Sequence, residues 1–347
     1  MANSAFHTPH LLVFRFSSMG DVAMTLPVVK QLLQQYPKLS VTFVSDKKFS
    51  ALFENIPRLS FYATDLKGKY KGFGGLLHLF NDLKKIKNIS AVADLHDVLR
   101  TRVLGALFQA SGKKLARIDK GRKEKKALTR KHDKQLVQLP STFQRYADVF
   151  ARLGYPVELN TSLQRIILPI TDAVKNLLGN DVNKKAGIAP FAKHREKTYP
   201  PEQMEKVVAG LSDKDYKIFL FGGSDDTSKL KAWEQQFTNT KNIAGELSFE
   251  EELMLISHLD VMISMDSANM HLASLYGVPV VSIWGATHPF AGFYGFGQEP
   301  SNAVQGEIYC RPCSVFGNKP CYRGDWACMN LISSEQIIDK VENVVHA

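Results

Sequence analysis

The chain has no long hydrophobic run, although 44% of its 347 residues are hydrophobic. Residues 11–14 are the main apolar stretch before Arg15, and they are too few for the apolar region of a signal peptide. Residues 267–298 lack Asp, Glu, Lys and Arg, but glycines, prolines and histidines interrupt them. Buried parallel strands explain this stretch better than a membrane span. We therefore expect a cytoplasmic protein.

Cysteine is scarce, and its four copies near the C-terminus follow the spacing C-x2-C-x7-C-x6-C. A reducing cytoplasm disfavours disulfides. Four thiolates in this pattern are chemically able to hold a structural zinc ion, and four packed free thiols are the alternative. Both interpretations stay open for Cys310, Cys313, Cys321 and Cys328.

Positive charge is in excess, with a formal net charge of +10, and it is concentrated in one segment. Residues 113–134, the basic run, hold 11 Lys or Arg against 3 Asp or Glu. Such a run is most often a solvated loop or helix face, but it also suits an anionic partner. No Phe, Tyr or Trp lies within it to stack on bases, so we do not expect nucleic acid. A phosphorylated or carboxylated glycolipid at the inner membrane face fits at least as well.

The length exceeds one ordinary core, and strand and helix patterns alternate through two successive halves. This alternation predicts two Rossmann-like, doubly wound α/β domains with ligands at the strand ends and a cleft between them. We place an N-terminal domain at 1–165 and a C-terminal domain at 166–330. The helix in 331–347 is expected to pack back on the N-terminal domain.

Residues 260–289 predict a β-α-β unit, in which a buried strand leads to a capped helix and a second strand. Ser267 is a favourable N-cap, and Gly277 with Pro279 ends the helix. Unpaired N–H groups at such a helix start attract an anion, and His271 in the first turn is able to donate to it. An ordinary capped helix without a ligand is the alternative interpretation.

The first strand and its turn carry a second candidate site. Residues 11–16 predict a strand, 17–21 a glycine turn, and 22–36 a helix that Pro27 should kink or delay. Asp21 lies at the start of this helix, where a carboxylate either interacts with the helix dipole or points into a ligand site.

Five segments together resemble the ADP-heptose:lipopolysaccharide heptosyltransferases, glycosyltransferase family 9, in that family's order and over nearly the whole chain. The segments are FRFSSMGDVAMTLPVVKQL (14–32), ADLHDVLRT (93–101), KTYP from Lys197, SMDSANMHLASLYGVPVVSIWGATHP (264–289) and the Cys-rich tail. One departure is Ala268, where the family commonly has Gly; a Cβ there would crowd a phosphate lying against the backbone.

The resemblance implies a GT-B fold and an inverting, metal-independent enzyme that moves heptose from ADP-heptose to the lipid A-linked core oligosaccharide of lipopolysaccharide. By this resemblance Asp21 is the base that deprotonates the acceptor hydroxyl, and Lys197 stabilises the departing diphosphate. No cofactor or metal is required. Another donor sugar, or a non-catalytic nucleotide-sugar or glycolipid-binding protein, is the alternative function.

The resemblance also makes 1–165 the acceptor-binding domain and 166–330 the nucleotide-sugar-binding domain, and it supplies the remaining binding residues. On the donor side Asp225 corresponds in position to the acidic ribose-binding site and Leu247 to the base-contacting segment, and Asp266 anchors a loop or a sugar hydroxyl. The diphosphate is expected to meet Ser267, Ala268 and His271. On the acceptor side we expect acidic sugars and lipid phosphates to meet Arg100, Arg102 and the basic run, with Ser17 and Ser18 orienting the acceptor hydroxyl. The basic run gives a peripheral contact with the inner membrane face.

Overall fold

The computed structural model of the protein describes residues 8–180 and 182–346. The chain forms two compact units. The first unit comprises Met1–Lys120 and Thr142–Asn160, and the second comprises Gly121–Ser141 and Thr161–Ala347. The chain therefore passes between the units three times, which differs from the single boundary at 165 expected from the sequence.

The first unit contains a five-stranded, wholly parallel sheet with the order β3-β2-β1-β4-β5. Strands β2 and β3 follow one another on one side of β1, and β4 and β5 follow one another on its other side. The order of the strands thus reverses between β1 and β4, where doubly wound sheets bind ligands. The strands are β1 (His10–Phe14), β2 (Ser40–Asp46), β3 (Leu59–Thr64), β4 (Ile89–Asp94) and β5 (Lys114–Arg117).

Helices connect these strands, as the alternating pattern predicts. The helix expected at 22–36 is in fact two pieces that meet at Met24, because Pro27 cannot donate a backbone hydrogen bond and a regular helix resumes only just before it. The helices up to residue 160 are α1 (Met19–Ala23), α2 (Thr25–Gln35), α3 (Gly72–Lys84), α4 (Leu99–Ala110), α5 (Arg122–Leu128) and α6 (Thr142–Arg152).

The basic run is not one solvated segment. It begins with β5 at the edge of the first sheet and continues with α5, which belongs to the second unit. Leu128 and Leu139 are buried in a small apolar cluster with Ala291, and the Leu139 N–H donates to the Phe290 carbonyl at 3.0 Å. The Lys125 ammonium lies 4.1 Å from the centroid of the Phe293 ring. These contacts explain why 121–141 folds with the second unit.

The second unit contains a six-stranded parallel sheet with the order β11-β10-β9-β6-β7-β8. The order reverses between β6 and β9, which makes this the second switch point. Every residue of β9 and β10 is buried, as expected for the strands of the predicted β-α-β unit. The strands are β6 (Lys185–Ala189), β7 (Lys217–Leu220), β8 (Thr240–Asn242), β9 (Val261–Met265), β10 (Val280–Trp284) and β11 (Ala303–Gln305).

The final helix packs within the second unit, because its apolar face fits α8. Ile337 and Val341 are fully buried in the same core as Leu211. Gly210 of α8 leaves the space that Ile338 fills, since a Cβ there would lie 2.5 Å from its Cδ1 atom. The helices are α7 (Asp172–Leu178), α8 (Pro201–Ser212), α9 (Thr227–Gln236), α10 (Phe249–Ser257), α11 (Ala268–Leu275), α12 (Ala327–Asn330) and α13 (Ser334–Val345).

Among the residues that the structure describes, no helix combines the length and the apolar character needed to cross a bilayer.

Candidate functional site

The predicted chemical groups lie at the two switch points. In the first unit the turn after β1 carries Asp21, and the loop after β4 carries His96 and Asp97. In the second unit the loop after β6 carries Lys197, and the turn after β9 carries Asp266. Because β1 pairs with β4 and β6 pairs with β9 in parallel, each pair of loops leaves the same edge of its sheet side by side.

Asp21 is held by a buried cation. The Arg15 Nη2 atom lies 2.7 Å from Asp21 Oδ2, and the side chains of Arg15 and Asp21 are 7% and 30% exposed. The Ser18 hydroxyl donates to the same carboxylate oxygen at 2.7 Å, and the Ser18 N–H lies 3.3 Å from it. The carboxylate is thus oriented by an ion pair and a capping box while part of it stays open to solvent.

The guanidinium of Arg15 also fixes the neighbouring loop. Its Nη1 atom donates to the Leu95 carbonyl at 2.8 Å, so one side chain bridges the turn after β1 and the loop after β4. The Tyr146 hydroxyl donates to the Asp21 carbonyl at 3.2 Å, which ties α6 to the same turn. The contacts of Arg15 and Tyr146 therefore fix the position of the short helix α1, which carries Asp21.

The expected acceptor residues divide into two groups. Ser17, Ser18 and Arg100 are exposed, but the Ser18 hydroxyl already serves Asp21. Arg102 makes two hydrogen bonds to Asp97, from Nε at 2.7 Å and Nη2 at 3.1 Å. These bonds raise the pKa of Arg102, and they hold the loop at Asp97, whose φ of 47° is unusual for a residue with a side chain. The charge of Arg102 is thus partly committed to loop structure.

Lys197 and Asp266 form an ion pair in the second unit, with 3.0 Å between Nζ and Oδ2. Here the carboxylate is the buried partner, because the side chains of Lys197 and Asp266 are 16% and 7% exposed. Asp266 therefore anchors the loop of Lys197, one of the two roles expected for it. Of the neighbouring cations, Lys193 is exposed, and Arg195 stacks over the Trp326 ring at 4.4 Å.

Two contacts fix the course of the Lys197 loop. Tyr199 is fully buried, its hydroxyl donates to the Ile332 carbonyl at 2.8 Å, and its N–H lies 3.3 Å from the Met265 sulfur. Gly317, with φ of 68°, lies against the stem of Lys197, since a Cβ there would be 2.3 Å from Lys197 Cγ. The Cys-rich tail thus contributes directly to the position of the lysine.

The start of α11 lies beside this ion pair. Ser267 is the N-cap residue, but its hydroxyl lies 3.0 Å from the Ser264 hydroxyl and does not cap the helix. Ala268 is the first helical residue and is partly exposed, whereas His271 is buried. The first N–H groups of α11 therefore receive no cap from Ser267, and they suit an anion.

The acidic turn after β7 separates the roles of two neighbouring residues. Asp226 Oδ2 accepts a hydrogen bond from the Gly223 N–H at 3.0 Å and so closes the local turn. Asp225 is exposed, and its carboxylate bonds to none of the described residues. Leu247 is half-buried in the turn that precedes α10. Asp226 is thus engaged in its own turn, and the role expected of Asp225 stays a prediction.

The four cysteines line one small cavity together with Glu196 and Trp326. Burial raises the pKa of Cys313 and that of Cys328, the latter to about 11, which keeps both thiols protonated at neutral pH. Across residues 8–180 and 182–346, no three His, Cys, Asp or Glu side chains are arranged as a metal site. The four cysteines form no disulfide with one another.

Sequence reasoning missed the residues that position the site. Arg15, Tyr199 and Gly317 lie in the segments that carry the resemblance or beside them, but nothing in their spacing reveals their contacts. Of these three residues, only Arg15 gives a signal in the sequence. A charged residue directly after a buried strand needs a partner for its charge.

Residues 84–319 match the model of a family described as glycosyltransferase family 9 (heptosyltransferase). The chain is 25% identical over 291 residues to the lipopolysaccharide core heptosyltransferase OpsX of Haemophilus influenzae, covering 80% of each chain. It is 22% identical over 314 residues to the lipopolysaccharide heptosyltransferase 1 of Escherichia coli K12, covering 83% of this chain and 92% of that one.

Solved structures show the same fold. The glycosyl transferase family 9 structure from Veillonella parvula superposes with a TM-score of 0.74 at 19% identity, covering 100% of this chain and 99% of that one. The E. coli heptosyltransferase WaaC with ADP superposes with a TM-score of 0.67 at 16% identity, covering 96% and 99%. The expected GT-B fold class is confirmed. With more than half of its length matched by the family model, this chain is a glycosyltransferase that belongs to glycosyltransferase family 9, the heptosyltransferases.

Proposed function

We propose that the protein is an inverting, metal-independent heptosyltransferase that uses ADP-heptose as donor and the inner core of lipopolysaccharide as acceptor. The observation that carries this proposal is the opposite arrangement of the two ion pairs. At the first switch point the carboxylate of Asp21 is paired with the more buried guanidinium of Arg15. At the second, the ammonium of Lys197 is paired with the more buried carboxylate of Asp266. A base and an anion-binding cation are the two groups that this reaction needs.

In this mechanism Asp21 accepts the proton of the acceptor hydroxyl as the oxygen attacks the anomeric carbon. Arg15 and Ser18 orient the carboxylate by binding its Oδ2 atom. Attack on the face opposite the leaving group inverts the anomeric configuration.

The departing diphosphate carries the developing negative charge. Lys197 supplies a positive charge, and the first N–H groups of α11, at Ala268 and Asn269, supply donors aimed along the helix axis. His271 adds a donor in the first turn. These groups take the place of the divalent cation that other sugar-nucleotide enzymes use, so the reaction should proceed without one.

The donor and acceptor are inferred from relatives. Two sequence relatives are named as lipopolysaccharide heptosyltransferases. A structural relative is a heptosyltransferase solved with ADP. Asp225 is available for the ribose and Leu247 for the base. The acceptor is lipid-linked, which fits a peripheral contact between the basic run and the anionic inner face of the membrane.

A donor screen tests the proposal. Purified protein is given ADP-, UDP- and GDP-sugars with a deacylated core oligosaccharide, with and without a chelator, and nucleoside diphosphate release and product configuration are measured. We expect release only from ADP-heptose, an inverted product and no effect of the chelator. Preference for another donor, a retained configuration or loss of activity with the chelator would each refute the corresponding part.

The Asp21→Asn variant separates an enzyme from a binding protein. Loss of the base should lower kcat by about 10³-fold while ADP binding persists. The matched control is Glu54→Gln, an exposed carboxylate of the same unit with no role in the site. Unchanged turnover in Asp21→Asn would remove Asp21 as the base.

A further inference from the structure

His96 lies at the first switch point, in the loop directly after β4. The Phe16 N–H donates to its Nδ1 atom at 3.3 Å, and the two rings meet edge to face with centroids 6.1 Å apart. Buried Asp94 accepts hydrogen bonds from the N–H groups of His96 and Asp97 at 3.0 and 2.8 Å. The ring of His96 is therefore held at one end.

The position of His96 relative to the base follows from Arg15. One guanidinium bonds to the Asp21 carboxylate and to the carbonyl of Leu95, the residue before His96. Phe16, which bonds to the imidazole, directly follows Arg15 in the chain. The Asp21 carboxylate and the His96 imidazole are thus held by two adjacent residues, Arg15 and Phe16.

The tautomer of His96 follows from its hydrogen bond. A ring nitrogen that accepts from a backbone N–H carries no proton, so a neutral ring bears its proton on Nε2. Nε2 bonds to none of the described residues. It is nevertheless not fully buried. His96 is 9% exposed as a residue, and Nε2 contributes to that exposed surface.

We propose that His96 binds the acceptor, donating a hydrogen bond from Nε2 to a sugar oxygen next to the hydroxyl that Asp21 deprotonates. This inference rests on the proposed function and extends it to a residue with no role assigned above. A neutral donor suits this place because it holds an uncharged sugar oxygen without competing with Arg15 for the carboxylate of Asp21.

The electrostatic surroundings keep the imidazole neutral. Burial lowers the pKa of His96 to about 3, with further lowering by Arg15 and Lys120 and opposition from Asp21 and Asp97. The folded-state pKa lies below the ordinary value of 6.5, so the ring stays neutral at every pH at which the enzyme would be assayed. Its contribution to acceptor binding should then not vary with pH.

Two isosteric substitutions separate the two ends of the ring. In His96→Asn the side-chain oxygen is placed to accept from Phe16 while the distal donor is lost, and in His96→Gln the amide N–H is placed near the former Nε2. We expect kcat/KM for the acceptor to fall about five- to tenfold in His96→Asn, with the donor KM unchanged. His96→Gln should recover most of this activity although its Tm falls by a few degrees.

The measurements are steady-state kinetics from about pH 5.5 to about pH 8.5, thermal unfolding, and direct titration of each protein with deacylated core oligosaccharide. The loss in His96→Asn should be the same at each pH. A loss confined to low pH would mean that a protonated imidazole is needed, and full acceptor activity in His96→Asn would reduce His96 to a structural anchor; either result overturns the proposal.

The titration distinguishes this proposal from the proposed function. If the wild-type protein binds the oligosaccharide and His96→Asn binds it more weakly, His96 is an acceptor residue even if ADP-heptose proves not to be the donor. If the wild-type protein does not bind the oligosaccharide, the inference about His96 is wrong.

Discussion

The two switch points have the same topology, but the more exposed charge of the ion pair is negative at the first and positive at the second. Each lies where the strand order reverses, and each pairs an aspartate with a basic side chain, at 2.7 Å for Arg15–Asp21 and 3.0 Å for Lys197–Asp266. In the first pair the basic side chain is the more buried partner, and in the second the carboxylate is. Under the proposed function, the buried member orients its partner and the more exposed member meets the substrate.

Under the proposed function, this difference lets one kind of ion pair serve two chemical purposes. A salt bridge by itself says little about stability, because desolvation offsets much of the attraction. Which partner the fold buries determines whether a site offers a base or an anion receptor. The following predictions test that distinction in order of decreasing effect.

Of the four changes that follow, removal of the charge of Lys197, the more exposed member of its ion pair, should have the largest effect. In Lys197→Met the leaving diphosphate loses its charge partner, so kcat should fall about 10²- to 10³-fold. Lys197→Arg keeps the charge and serves as the matched control, with a smaller loss. Steady-state kinetics with varied donor measure both, and a methionine variant with normal kcat would exclude Lys197 from catalysis.

Removal of the buried cation should act through the base. In Arg15→Met, a carboxylate that has lost a cation 2.7 Å away takes up a proton more readily, so the acidic limb of the pH–rate profile should move to higher pH. Arg15→Lys retains the charge but cannot bridge Asp21 and Leu95 in the same way. We expect the lysine variant to keep the profile and lose about tenfold in kcat. An unshifted profile in Arg15→Met would show that the pair does not control the base.

Displacement of Lys197 without loss of its charge should have an intermediate effect. Gly317→Ala places a Cβ against the lysine stem at a positive φ, so the side chain or the loop must move. We expect about a tenfold loss in kcat and about 1–2 kcal/mol in the free energy of unfolding. Gly112→Ala also has positive φ but meets no atom within 4 Å, so it should cost stability alone. Equal activity losses in both would point to backbone strain as the only cause.

The smallest effect is expected at the ribose site. Asp225→Asn should weaken ADP binding by a few-fold, because one exposed hydrogen bond is changed. Asp226→Asn should leave ADP affinity unchanged and lower stability slightly, since that residue closes its own turn. Calorimetric titration with ADP and thermal unfolding compare the two variants. The reverse order of affinities would assign the ribose to Asp226.

Much of the fold was predictable because it depends on local patterns. Buried apolar runs separated by helical periods predict strands such as β9 and β10, and the resemblance supplied the family. The edge strand β5 was missed because its residues, KLAR, belong to a charged segment that lacks the apolar signal of a central strand. The C-terminal helix was misplaced because an apolar face does not specify which partner it will cover.

The site was predictable as residue types and not as geometry. Asp21, Lys197 and Asp266 stand in recognisable motifs, but their pairing depends on which strands are neighbours, as with Ala189 and Ser264 in β6 and β9. The role of Gly317 depends on a contact across 120 positions of sequence with Lys197. Such long-range contacts leave no periodic signal in one sequence.

The path of residues 121–141 has a consequence for dividing the chain. A fragment that starts at 161 would lack Leu128 and Leu139, and the apolar surface around Ala291 would then be uncovered. It would also lose the hydrogen bond, 2.7 Å long, from the Lys134 ammonium to the Cys310 carbonyl. A separately expressed second half should therefore aggregate unless residues 121–141 are rejoined to it by a short linker.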